Sequence, residues 1–380
     1  MKKHYNIIIA GAGGIAEAAG LILAAWSTVT PTIYIGDYFL EKAENVAKWI
    51  MDGSSKSCQV VPFHLDAKSI SKEMESIFEQ GNALLDCLPG SLAPNMALIA
   101  KTHKLYYANL TEYVAETNEI IDIAKGANTG FVLQTGLAPG YINVLAHHLF
   151  QNFCKQYEVD KVDTLEFKVG ALTKNAISPH FYGFTWSPIG VATEYLKECI
   201  VLRDYKKTTK PALSERAQII IDGISYEEDL TSGGAADLAD ALSGKVKHLD
   251  YKTLRHPGHY AWVEEQLKSL SSGTDSISGL QEIMLRDIPH IEDDQIIIYA
   301  AVEGKDSQGV LRRQEIVKRV LPQKIGKHKL RAIQTTTAAA LVQAISWLLE
   351  TQTKGIVLQS QLDSKIFLNG AFISHVYGKL

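Results

Sequence analysis

Through residue 140 the chain alternates short apolar runs with longer segments of helical spacing. Ile7, Ile8 and Ile9 form the first run. "TIYIGD" (32–37), "CQVVPFHLD" (58–66), "NALLDCLPG" (82–90), "KLYYANLTE" (104–112) and "GFVLQTGLAPG" (130–140) form five more. Between them, "YFLEKAENVAKWI", "AKSISKEMESIFEQG" and "SLAPNMALIAKTH" place apolar residues on one helical face. Strands that are apolar on both faces and alternate with helices predict a parallel sheet with helices on both sides. Near residue 155 the rhythm changes. "DTLEFKVGAL" alternates with period two. "AQIIIDGISYEEDL" reads as two strands around Asp222-Gly223, and "HLDYKTLRHPGH" alternates again. "DQIIIYAAVEGKDSQGVLRRQEIVKRV" reads as a long hairpin turning within 304–309, and "RAIQTTTAAALVQAISWLLE" as one helix.

The predicted fold is therefore α/β. A doubly wound parallel sheet of the Rossmann type is interrupted by an α+β domain with a mixed, largely antiparallel sheet. Boundaries fall at 1–138, 139–330 and 331–380, the last part packing back on the first domain.

The first strand leads into Gly11-Ala12-Gly13-Gly14-Ile15-Ala16, which fits G-x-G-x-x-G/A. Gly11 allows the tight turn, Gly13 lets the backbone approach a pyrophosphate, and Ala16 lets the helix lie close on the strand. The helix start, with Gly14 and Ile15, offers N–H groups to phosphate. An export signal is the competing reading, since Lys2 and Lys3 precede a long apolar stretch. Four glycines and Glu17 within that stretch disfavour it. The second strand decides the matter: it ends in Asp37, where this fold places the acid that bonds the adenosine ribose. Tyr38 and Phe39 follow, with no arginine to hold a 2′-phosphate, so NAD is expected over NADP. Ligands of such sheets lie beyond the carboxyl ends of the strands. Asp66, Leu88, Pro89, Asn109 and Thr111 are the further cofactor candidates there, and Glu112 the nearest acid.

Composition narrows the partners. The 380 residues are 46 % hydrophobic and 21 % charged, with net charge −4, so no global basic field points to nucleic acid or to an acidic membrane. No further segment is expected to span a membrane. Cys58, Cys87, Cys154 and Cys199 lie far apart without a C-x-x-C pair, which predicts reduced, buried thiols and a cytoplasmic protein. His147 and His148 are adjacent and face different sides of a helix, so no metal is expected there.

Four segments together, "GLAPGYINVLA" (136–146), "GFTWSPIGVATEY" (183–195), "LTSGGAADLADALSGKVKHLDYKTLRHPGH" (230–259) and the Gly-rich unit, resemble the saccharopine dehydrogenase family in its saccharopine reductase and lysine 6-dehydrogenase branch. The resemblance runs through nearly the whole chain. It implies NAD(P)-linked chemistry at a C–N bond of a lysine-type amino acid and a site between the domains. It also implies a homodimer through the inserted domain. The family's W-S-P falls on Trp186-Ser187-Pro188 and its T-R-x-G-H region on residues 255–259. Saccharopine reductases usually carry an acid where this chain has Ala138, so no acid–base role passes to that position.

Arg255 is the candidate for an α-carboxylate, because a guanidinium binds it bidentately; a surface arginine on an alternating strand is the plain structural alternative. Glu112 is a candidate base or ammonium partner, against a helix-capping role that Thr111 shares. His259 is a candidate acid–base group because imidazole titrates near neutrality, against a first-turn helix residue bonding backbone. Trp186 could wall a lysine chain or be plain core. Ser187 falls within the family's W-S-P. Thr231, Ser232 and Gly233 offer hydroxyls and open N–H groups, or form a simple turn. The leading reading is an NAD-dependent lysine-type amino-acid dehydrogenase. The alternatives are a reductase of the same family forming carboxylated polyamines, and an NAD-binding sensor or scaffold without catalysis.

Overall fold

The computed structural model describes residues 3–270 and 275–380. Its residues group into two compact units. The first begins with β1 (Asn6–Ala10), α1 (Gly14–Trp26), β2 (Thr32–Asp37), α2 (Leu40–Gly53), β3 (Gln59–His64), α3 (Lys72–Gln80), β4 (Ala83–Asp86), α4 (Ala93–Thr102), β5 (Tyr106–Asn109), α5 (Val114–Ile123) and β6 (Gly130–Val132). Ile7, Ile8 and Ile9 are fully buried, which is why β1 has no polar face. The stretch that could be read as an export signal is thus strand, turn and helix; Lys2 lies outside the described residues. Helix α3 starts where Ser71 accepts the Met74 N–H at 3.2 Å.

The second unit, residues 142–322 and 331–333, holds most of α6 (Tyr141–Tyr157), then β7 (Val162–Thr173), α7 (Pro188–Glu194), β8 (Cys199–Arg203), β9 (Lys206–Lys210), β10 (Ala217–Ile221), β11 (Ile224–Leu230), α8 (Leu238–Ala241), β12 (Val246–Arg255), α9 (His259–Ser269), α10 (Ser276–Asp287), β13 (Asp294–Lys305) and β14 (Leu311–Val320). Its eight-stranded sheet runs β10-β11-β12-β7-β13-β14, with β8 and β9 branching from β12. Only the β12–β7 pair in it is parallel. Asp222 and Gly223 both have positive φ, 51° and 76°, as a two-residue hairpin turn requires.

The chain then returns to the first unit with β15 (Gln323–Ile325), β16 (His328–Leu330), α11 (Ala332–Thr351), β17 (Gly355–Val357), α12 (Ser364–Leu368) and α13 (Ala371–Tyr377). Strand β17 completes a seven-stranded, all-parallel sheet of order β17-β6-β5-β4-β1-β2-β3. The order reverses at β1, which puts the loop after β1 at the topological switch point.

Three expectations need correction. Residues 323–330, expected in the insert, group with the first unit: Lys327 N–H donates to Gly53 O at 2.9 Å, and His328 stacks on Trp49 at 4.1 Å. Helix α11 is long and apolar enough to span a membrane, contrary to expectation, but 83 % of its apolar window is buried inside the fold, as in a core helix. Of the four free thiols only Cys199 is fully buried; the other three are half-buried.

Candidate functional site

In the first unit the β1–α1 turn is shaped by contacts that explain its glycines separately. Gly11 has φ +101°, and its N–H donates to Gly36 O at 2.7 Å. A Cβ there would lie 3.0 Å from Cys87 O, so the turn itself demands glycine. Gly13 is different. Its φ is −94°, and a Cβ would meet no atom within 4 Å. The chain does not need a glycine there, whereas close approach of a pyrophosphate does. Gly13 is also the cap position of α1 and makes no side-chain bond, so the N–H groups of Gly14, Ile15 and Ala16 begin the helix with no side-chain acceptor from the cap residue. Ala16 is fully buried, as close strand–helix packing asks. The residues therefore fit a dinucleotide.

Asp37, at the end of β2, accepts the Ala12 N–H on Oδ2 at 2.9 Å and the Phe39 N–H on Oδ1 at 3.0 Å. The acid is thereby tied to the Gly-rich turn and remains half-exposed. Asp66 accepts the Lys68 N–H at 2.8 Å and shapes the turn after β3. After β4, Leu88 is anchored by its N–H to Asp86 Oδ1 at 3.0 Å, and Pro89 precedes a single helical turn. A Cβ on Gly90 would lie 2.5 Å from Thr111 Oγ1, so the turns after β4 and β5 are in contact. Asn109 is buried, with Oδ1 accepting the Gln134 N–H at 2.9 Å. Glu112 is half-buried on the same turn. The cap position of α5 is held by Tyr113, the residue after Glu112, with no side-chain cap bond of its own.

Asp86, at the end of β4, is buried beneath these turns. Burial pushes its carboxyl up to about 6, against the lowering effect of the Tyr107 hydroxyl at 2.7 Å and the Leu88 N–H.

In the second unit Arg255 is 1 % exposed, so the surface alternative fails. Its Nε donates to Tyr195 Oη at 2.6 Å and its Nη1 to Leu254 O at 3.0 Å. The guanidinium carbon lies 5.0 Å from the Tyr182 ring centre and 5.5 Å from that of Tyr195. Glu194 Oε2 is 3.7 Å from Nη2, and among the described residues Nη2 makes no hydrogen bond. His259 is fully buried, with Nδ1 2.7 Å from His180 O and Nε2 3.0 Å from Tyr195 Oη. Burial, then the Arg255 charge, push its titration down to about 3. The expectation of a group titrating near neutrality is thus overturned: a dry site beside a cation keeps the imidazole neutral.

Thr231 is buried with Oγ1 2.5 Å from Thr253 Oγ1, so its hydroxyl is engaged within the fold. Tyr260 Oη donates to Thr253 O at 2.6 Å beside it. Ser232 N–H donates to Glu194 O at 3.0 Å, and Gly233 turns at φ +89°. Trp186 is half-buried against the cluster of Tyr182, Tyr195 and Tyr260, and a Cβ on Gly190 would strike its ring. Ser187 is exposed and caps α7 through the Gly190 N–H at 3.4 Å. Tyr182 and Tyr195 complete the arginine cluster but carry no motif; Tyr195 ends the segment 183–195 and Tyr182 lies just before it.

Two family models match the chain: the saccharopine dehydrogenase NADP binding domain over residues 7–131, and the saccharopine dehydrogenase C-terminal domain over 136–370. The chain belongs to the saccharopine dehydrogenase family. Solved structures agree at the level of fold. Saccharopine dehydrogenase (L-Glu forming) from Saccharomyces cerevisiae matches with TM-score 0.75 and 13 % identity over 98 % of each chain. Homospermidine synthase from Legionella pneumophila, in complex with NAD, matches with TM-score 0.63 and 13 % identity, over 99 % of this chain and 91 % of that one. A saccharopine dehydrogenase-family oxidoreductase with an NAD(P)-binding fold accounts for the Gly-rich turn and its acid.

Proposed function

We propose that the protein is an NAD-dependent dehydrogenase acting on a C–N bond of a lysine-type amino acid. One observation carries the reading: a fully buried guanidinium, Arg255, whose Nε and Nη1 are held by neutral oxygens, while Nη2, among the described residues, makes no hydrogen bond and lies 3.7 Å from Glu194 Oε2. A ligand carboxylate placed at Nη2 would form charge-assisted bonds in place of the long contact with Glu194. The residues of 11–16 and Asp37 would hold the dinucleotide, and the nicotinamide, when bound, supplies the hydride acceptor. Asp37 would accept ribose hydroxyls and repel a 2′-phosphate, which supports NAD. Glu112 is the proposed base or ammonium partner, as a half-buried acid on the turn after β5. Trp186 offers an apolar wall for the aliphatic chain of the substrate.

The test is NADH absorbance with L-lysine and with saccharopine in the forward direction, and with 2-aminoadipate semialdehyde plus an amine donor in reverse. Turnover of one of these with NAD supports the reading. No turnover with any lysine-derived compound removes it.

The same proposal includes a homodimer through the second unit. Strand β10 lies at the edge of that unit's sheet with Ile220 73 % exposed, and an uncovered apolar edge favours pairing. Light scattering on the eluted protein checks it; a monomeric mass would remove the dimer.

A further inference from the structure

We infer that Tyr195 and His259 are positioning residues that hold the Arg255 guanidinium in the orientation that receives a carboxylate. The inference rests on the carboxylate reading of Arg255 and adds how the group is set.

The geometry determines the direction of each bond. His180 O can only accept, so His259 Nδ1 carries the proton and donates at 2.7 Å. In a neutral ring Nε2 is then the acceptor, and Tyr195 O–H donates to it at 3.0 Å. With its proton directed at the imidazole, the Tyr195 oxygen turns its lone pairs to the Arg255 Nε–H at 2.6 Å. A protonated imidazole would donate to Tyr195, which would then accept from both cations while its own proton lost the acceptor at Nε2. The site excludes that state, since His259 is fully buried beside Arg255.

A guanidinium is planar, so two fixed bonds define its rotation. Nε is held by Tyr195 and Nη1 by Leu254 O, which sets the Nη2 edge in one direction, 3.7 Å from Glu194 Oε2. The rings of Tyr182 and Tyr195 flank the cation without competing for its N–H groups. The three side chains come from α9, from the residue after α7 and from the end of β12, and no local motif joins them.

The test uses the full-length protein and glutarate, a dicarboxylate without an amine, titrated calorimetrically in the presence of NAD. Tyr195→Phe keeps the ring and removes the hydroxyl; glutarate affinity should fall about tenfold, with NAD affinity unchanged. His259→Leu should fall similarly. His259→Gln, whose amide oxygen can accept the Tyr195 proton near the Nε2 position, should stay within about threefold of the wild type. Arg255→Met separates the two ideas. If it binds glutarate as the wild type does, the carboxylate reading of Arg255 fails. If Arg255→Met loses glutarate while folded Tyr195→Phe and His259→Leu retain it, the positioning role is overturned and the carboxylate reading stands. The wild-type protein gives an independent check through ¹⁵N spectra of its histidines. His259 should show the Nδ1–H tautomer at neutral pH, and its Nε2 signal should move on adding glutarate. An Nε2–H tautomer, or a signal that glutarate leaves in place, would overturn the inference even if a variant failed to fold.

Discussion

Asp37 Oδ2 accepts the Ala12 N–H at 2.9 Å, so the acid that ends β2 is bonded to the turn that ends β1. The carboxylate therefore has two duties in the proposed site. It fixes the turn, and its remaining lone pairs are available to ribose hydroxyls. Asp37→Ala should weaken NAD by at least about tenfold, the loss of one or two charge-assisted bonds. NADP should lose less, because removing the charge also relieves repulsion of its 2′-phosphate. Fluorescence titration with both reduced cofactors checks this; equal losses would take Asp37 out of the ribose role.

Gly11 and Gly13 should respond in opposite ways to the same substitution. Gly11→Ala places a side chain at φ +101° and 3.0 Å from Cys87 O, and should destabilise the fold by about 1–3 kcal/mol. Gly13→Ala meets nothing within 4 Å and should cost under ~1 kcal/mol of stability. It should instead reduce cofactor affinity about tenfold or more, by blocking close approach of the pyrophosphate. Urea unfolding paired with cofactor titration separates the two; a stable Gly13→Ala protein with full cofactor affinity would contradict the assignment.

The buried carboxyl of Asp86 predicts an unusual pH dependence. Its folded value of about 6 lies above the ordinary 3.8, so the folded state binds this proton more tightly than the unfolded chain. Its effect is absent well below pH 4. Stability then falls as pH rises through the window from about 4 to 6, by on the order of 3 kcal/mol, and levels off above it. Asp86→Asn removes this loss. The stability of the variant relative to the wild type should therefore rise between pH 4 and pH 7, read from urea midpoints. A constant difference across that range would show that Asp86 does not titrate there.

Helix α11 begins on a carboxylate supplied from far away in the chain. Asp294 is fully buried; Oδ1 accepts the Ala332 N–H at 2.7 Å and Oδ2 the Ile333 N–H at 2.8 Å. Asp294→Ala leaves two buried donors without these acceptors and should cost about 2–4 kcal/mol. Asp294→Asn keeps one acceptor and should cost less. Thermal melts of both variants check the order, and an Asp294→Ala protein as stable as the wild type would refute the capping role.

Local pattern carried much of this protein. The three isoleucines of β1, the Gly-rich turn, Asp37 at the end of β2 and the Asp222-Gly223 hairpin were legible in the sequence. Side-chain periodicity and positive φ are properties of near neighbours, so the chain states them directly. Arg255 was legible as a candidate only, because an alternating strand does not say which of its faces is dry. The tertiary structure decided that it is buried, that Tyr195 holds it from sixty residues away, and that His259 is neutral rather than titrating near pH 7. It also decided that Thr231 is spent on Thr253, that Ser187 caps a helix and that Asp294 caps α11. Burial and charge neighbourhood depend on which distant segments pack together, and desolvation, not residue type, then sets what each group can do.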